Sequence, residues 1–223
     1  ANPQQRTFMA LYFKRYELSV MKDCLRKVFD KGHADLDLSL FKEFFDRHSR
    51  LDIEKLAASS TVAEFISNLQ GSEYYAPLIK LGGDSTPSIF DYGMALDQYY
   101  FANIWSVKEK LFKKRDLQEI TKAYGNKFDM LNLQWIYRSK KYYHMAPVDI
   151  YALLIPVHYR LTKKEISSLV EAADEEEFRR VLDTTYYKKR FPALAPEKLE
   201  DFYNLNLKTI LETEARKYPH SVI

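Results

Sequence analysis

The chain has 223 residues, 46% of them hydrophobic, enough to bury a core as one domain or two small ones. Lys plus Arg is 34 against 31 for Asp plus Glu, and a net charge of +3 is too small to imply a nucleic-acid surface by itself. With a mean hydropathy of −0.42, no stretch approaches the roughly 20 apolar residues of a membrane-spanning helix, and the single cysteine, Cys24, excludes an internal disulfide or a multi-cysteine metal site.

Six glycines and eight prolines, set among many Leu, Lys and Glu, favour helix, and nothing alternates with period two for long. The predicted class is all-α. In chain order, residues 1–5 read as a frayed start, and a helix over 7–29 ends at Lys31, Gly32 and His33. A second helix over 36–48 has Leu38, Phe41, Phe44 and Phe45 as its apolar side. Asp52 caps a short helix with Ile53, Leu56 and Ala57 inward, and Ser60 or Thr61 caps the next, which carries Val62, Phe65, Ile66 and Leu69 and stops at Gly71. Residues 81–88, LGGDSTPS, form the clearest linker. A long helix then runs to about Lys114, with Leu96, Tyr100, Ile104, Val107 and Leu111 down one side. A short helix over 117–124 follows, broken by Gly125 and Asn126.

The stretch 128–138, FDMLNLQWIYR, organises the rest. Phe128, Leu131 and Trp135 make one apolar row and Met130, Leu133 and Tyr137 a second, so this helix is expected to be mostly buried. Asp129 falls in its expected first turn, where the helix dipole favours an anion. The amide of Asn132, on the same side, needs a buried partner. Beyond it, Pro147 opens a helix that Pro156 ends, Thr162 and Glu165 form a capping-box pattern, and Asp174 caps a helix with Phe178, Val181 and Leu182. Residues 191–196 are a break, and a last long helix spans 197–218.

The pattern occurs twice. YELSVMKDCLR at 16–26 matches 128–138 after a shift of 112 (128 − 16), pairing Tyr16 with Phe128, Glu17 with Asp129 and Arg26 with Arg138. Arg50-Leu51-Asp52 matches Arg160-Leu161-Thr162, and Tyr74-Tyr75 matches Tyr186-Tyr187. The expected organisation is a partial helical unit over 1–84, a complete one over 85–191, and over 192–223 the opening helix of a further unit. The chain reads like a section of a longer repeating protein.

Reactive constellations are absent from the sequence. No two of the five histidines stand at metal-ligand spacing, and no nucleophile elbow, phosphate-binding glycine loop or calcium loop occurs. Carboxylates at Asp46, Asp52 and Glu54 and over 174–177 read as caps and solvated faces, and neither a catalytic residue nor a cofactor is expected. Basic clusters at 108–115, 138–141 and 188–190, with 17 tyrosines, keep a helical nucleic-acid binder or a general protein-interaction scaffold as the alternative. The interleaved signs of Lys108, Glu109 and Lys110 favour the scaffold.

Three stretches carry a family resemblance: ALDQYYF at 95–101, FDMLNLQWIYRSKK at 128–141 and LLIPVHYRLTKKEI at 153–166. With RYELSVMKDCLR and RLDIEKLA earlier, their order and spacing resemble the C subunits of bacterial and archaeal V-type (A-type) ATPases, whose eukaryotic counterparts are the d subunits. The resemblance implies an all-helical funnel of three similar units. It implies a non-catalytic role on the cytoplasmic face of the membrane, peripheral to it. There the protein joins the central-stalk subunits to the membrane rotor ring and couples ATP turnover to proton or sodium transport. It implies no nucleic-acid partner, no cofactor and no metal. The motif residues it picks out are Leu96, Asp97, Tyr100, Phe101, Asp129, Asn132, Leu133, Trp135 and Arg138, and the charged helix ends Lys110, Lys113 and Arg115 are the candidate stalk contacts. Val20 stands where the second copy has Asn132.

Overall fold

The computed structural model describes residues 3–31, 38–82, 86–202 and 204, and among these there are helices and no strand. The fold is all-α. Packing divides the chain into two compact units, Ala1–Tyr100 and Phe101–Ile223.

The first unit contains α1 (Pro3–Phe29), α2 (Ser39–His48), α3 (Ile53–Ala57), α4 (Val62–Ser67) and α5 (Tyr75–Ile79). Helix α1 starts at Pro3, earlier than expected, and Thr7 Oγ1 donates at 3.0 Å to the carbonyl of Pro3, a residue of the expected frayed start. The expected stop at Gly32 and His33, the opening of the second helix at Leu36, and the linker residues 83–85 lie outside the described residues. Asp52 caps α3 by accepting from the Lys55 amide at 2.9 Å. Thr61, not Ser60, caps α4, whose body ends at Ser67. Gly71 supplies the left-handed turn that follows, at φ 83°. The buried side of α1, with Leu18, Met21, Cys24 and Leu25, packs against α3 and α4, where Leu56, Phe65 and Ile66 are buried. An ion pair joins Lys14 to Glu73, and Lys22 Nζ meets Asp97 Oδ1 at 2.6 Å.

Helix α6 (Ile89–Leu111) is capped by Ser88, whose Oγ accepts the Asp91 amide. The division between the units falls inside it, after Tyr100. The second unit continues with α7 (Lys114–Lys141), α8 (Pro147–Leu153), α9 (Lys163–Glu171), α10 (Glu175–Thr184) and α11 (Tyr186–Arg190), then a 3-10 turn over Pro196–Lys198. Residues 199–202 are helical, and most of the expected last helix lies outside the described residues. Helices α8 and α9 pack on α7, α10 packs on α9 and α11 on α10. Met130, Leu133, Ile136 and Tyr137 form one core with Ile150, Ile166, Leu169, Phe178 and Leu182. Phe128, Ile155 and Val157 form a second, with Phe101, Trp105 and Trp135 against it. The capping box at Thr162 and Glu165 is present, and Asp174 caps α10. On the surface, Lys141, Glu175, Arg179 and Glu197 make an ion network that holds the Glu175 carboxyl down to about 2.

Two expectations fail at one place. Gly125 and Asn126 do not break a helix, because α7 runs unbroken through them. The glycine serves a close approach instead: a Cβ there would lie 2.7 Å from Tyr159 Cδ1 and 2.8 Å from Tyr159 Cβ. Asp129 is therefore not in a first turn but in mid-helix and fully buried, so the helix dipole does not explain it. The apolar row of Leu131 and Trp135 is also less covered than expected. Both are partly buried against Phe128, which is itself 0% exposed.

Phe128→Ala is expected to cost about 3–5 kcal/mol by urea unfolding, the range for emptying an aromatic core site. Gly125→Ala is expected to destabilise as well, although alanine gains about 1 kcal/mol over glycine in an exposed helix. Cys24 is 1% exposed, and its thiol is pushed up to about 11 by burial and by Asp23. Iodoacetamide at pH 8 should leave it unmodified in the native protein and label it on unfolding.

Candidate functional site

Asp129 and Asn132 stand three residues apart on α7 and so share a face. Both are 0% exposed, and both reach across to the segment that joins α8 to α9. Asn132 Nδ2 donates to the Ile155 carbonyl at 3.0 Å, and the Ile155 amide donates back to Oδ1 at 2.9 Å. Asp129 accepts the amides of Tyr159 at 3.2 Å, Arg160 at 2.6 Å and Leu161 at 3.0 Å. The Tyr187 hydroxyl of α11 is shared between Asp129 Oδ2 and Asn126 Oδ1, each 3.0 Å away. Two side chains thus hold the joining segment at both ends and tie in α11. Burial pushes the Asp129 carboxyl above its ordinary value, and the amides of Arg160, Leu161 and Tyr159 with the Tyr187 hydroxyl oppose that shift. Burial and the neighbouring Asp129 charge push the Tyr187 phenol up, so it stays a donor.

The first unit has a simpler version. Glu17 of α1, 7% exposed, accepts the Tyr74 hydroxyl at 2.6 Å. Val20 is buried at the place that corresponds to Asn132, and the Leu51 amide donates to Ser49 Oγ at 3.1 Å. Tyr74 packs edge-on against Tyr99, whose hydroxyl donates to Glu73 at 2.8 Å and is pushed up to about 12 by burial and by Glu73.

The residues singled out in the sequence fall into four groups. Leu96, Tyr100 and Leu133 are buried, and Phe101 packs on Phe128 with ring centroids 5.1 Å apart. Asp97 pairs with Lys22, and exposed Arg138 meets Glu200 at 3.4 Å. Lys110, Lys113 and Arg115 are exposed where α6 gives way to α7, and Lys113 Nζ donates to the Glu109 carbonyl at 3.0 Å. Asp129 and Asn132 alone act on one target together. Sequence reasoning missed Tyr187, Tyr159 and Ile155 as their partners. The repeated Tyr-Tyr pair was the available signal for Tyr187, whereas Ile155 contributes only backbone and left none.

Chemically this arrangement holds backbone. Every oxygen of Asp129 is occupied by protein donors, and among the described residues no three His, Cys, Asp or Glu side chains are grouped as metal ligands. Asn132→Leu orphans the buried Ile155 amide, worth about 1–3 kcal/mol, whereas the Ile155 carbonyl keeps the Val157 amide at 2.8 Å. Chemical denaturation should register a loss of at least about 1 kcal/mol, the lower bound for one unsatisfied buried group, with the helix content of the folded variant unchanged.

A sequence model of the family described as ATP synthase (C/AC39) subunit matches residues 1–223. No curated protein and no solved structure matches the chain. With the match spanning every element from α1 to the end of the chain, the protein belongs to the C/AC39 family of V-type and A-type ATPase subunits.

Proposed function

We propose that the chain is the non-catalytic rotor subunit of such an ATPase. It couples the central stalk to the membrane rotor ring, and so ATP turnover to proton or sodium movement, from the cytoplasmic side of the membrane. Family membership supports a place in the complex. The observation that carries the mechanical role is the use made of the buried polar groups. Asp129, Asn132 and Tyr187 are spent on holding the segment that joins α8 to α9, and Glu17 and Tyr74 on holding the first unit. A rotor component that passes torque must resist deformation, and side chains that fix backbone inside a packed helical core supply that resistance.

In this reading the chain comprises a partial helical unit over 1–84, a complete one over 85–191 and the start of another over 192–223. Matching caps support the repeat. Thr61 and Glu64 at α4 have the same exchange of bonds as Asp174 and Glu177 at α10, down to the backbone amide of the preceding residue, Ser60 or Ala173. Lys110, Lys113 and Arg115 are the proposed stalk contacts. No helix among the described residues is long and apolar enough to cross a membrane, consistent with a peripheral position.

The test is retention of the chain on immobilised central-stalk subunits. Retention is expected, with loss on the triple substitution Lys110→Ala, Lys113→Ala, Arg115→Ala. If the stalk subunits do not retain the chain at all, the rotor assignment is wrong; retention that ignores the triple substitution removes the contact residues alone.

A further inference from the structure

Segments 159–164 (YRLTKK) and 185–190 (TYYKKR) carry six cations and no carboxylate. They lie far apart in sequence but meet in space, because the amides of Tyr159, Arg160 and Leu161 and the hydroxyl of Tyr187 all converge on Asp129. Above that buried carboxylate, the exposed Arg160 guanidinium sits 4.9 Å from the Tyr159 ring centroid and 5.1 Å from that of Tyr186, and its Nη2 donates to the Tyr159 hydroxyl at 3.5 Å. Lys189 and Arg190 follow Tyr186 by three and four residues on α11 and so share its face. None of the six cations is ion-paired to a carboxylate among the described residues, whereas Arg138, Lys141 and Arg179 of the same unit are.

We propose that this patch, centred on Arg160, is a docking surface for an acidic segment of a partner protein. The patch goes beyond what the fold requires. The first unit keeps an arginine, Arg50, at the turn that matches Arg160, but has Asp52 and Glu54 where the second has Thr162 and Lys164; its short helix α5, YAPLI, holds no cation, and Tyr74, which meets Glu17 as Tyr187 meets Asp129, follows Glu73 where Tyr187 follows Tyr186. An arginine already held between two tyrosines loses little freedom on binding, and its planar fork accepts a carboxylate with two bonds. Arg and Tyr are also the residue types that carry most binding energy at protein interfaces. Nucleic acid fits less well, since the Tyr159 and Tyr186 rings that would stack bases already carry the guanidinium. A lipid surface fits less well because the two segments expose no aliphatic side chain to insert, Leu161 being buried. The surface is independent of the stalk contacts proposed above, so the two can fail separately.

The experiment is fluorescence anisotropy of a labelled oligoglutamate peptide with the full chain at about 0.1 M salt, where exposed charges more than about 10 Å apart are screened. Saturable binding is expected. Arg160→Ala should weaken it about tenfold, Arg160→Lys should restore less than half of that loss because it keeps charge without the fork, and Lys80→Ala, an exposed cation of the first unit, should bind like the wild type. Melting curves of the three variants should coincide with the wild type, since the Arg160 amide remains on Asp129. The proposal is overturned if the wild type does not bind, if Arg160→Ala binds as well as the wild type, or if a single-stranded oligonucleotide or an anionic vesicle of equal charge binds more tightly than the peptide.

Discussion

A carboxylate deprived of water costs several kcal/mol unless other donors replace that water, and Asp129, fully buried in the middle of α7, meets this requirement with four of them. Much of the second unit's geometry follows from that requirement. Three successive amides can reach one carboxylate only if the chain from Tyr159 to Leu161 turns over it. Bringing that turn down onto α7 puts the Tyr159 ring where a side chain at position 125 would be, so position 125 is glycine. The fourth donor must come from elsewhere, and Tyr187 brings α11 with it. Asn132, one turn along the same face, closes the other end by pairing with both backbone groups of Ile155. Helices that would otherwise be held by apolar contact alone are registered against one another through backbone.

The first unit relaxes the same constraint. Glu17 has a longer side chain and keeps slight exposure, and the Tyr74 hydroxyl is its hydrogen-bond partner. Val20 is buried where the second unit has an amide, and the local caps at Asp52 and Thr61 are polar contacts of α3 and α4. The two clamps therefore differ in their share of polar fixing. The cations around Arg160 and α11 occur in the more tightly fixed one.

What could be read from the sequence were the features whose cause is local. Caps at Asp52, Thr61, Thr162 and Asp174 depend on residues three or four apart, and the buried faces of α1, α7 and α10 follow from helical spacing. What could not be read depended on contacts across the chain. Gly125 looks like a helix breaker by composition, and its actual reason, the Tyr159 ring, lies 34 residues away (159 − 125). Asp129 looked like a dipole-stabilised first-turn acid for the same reason, since the false break placed it there. The need of Asn132 for a partner was visible, but that the partner is a backbone amide and carbonyl was not, because Ile155 carries no polar side chain to announce it.

If the buried clamp is what makes this protein stiff enough to carry torque, the segment it holds must not open on its own. Native-state hydrogen exchange at the Ile155, Tyr159, Arg160 and Leu161 amides measures this directly. The account predicts that these four exchange only through global unfolding, with a free energy of opening equal to that of the whole second unit. Exchange at these amides several kcal/mol easier than in the α7 core would contradict it.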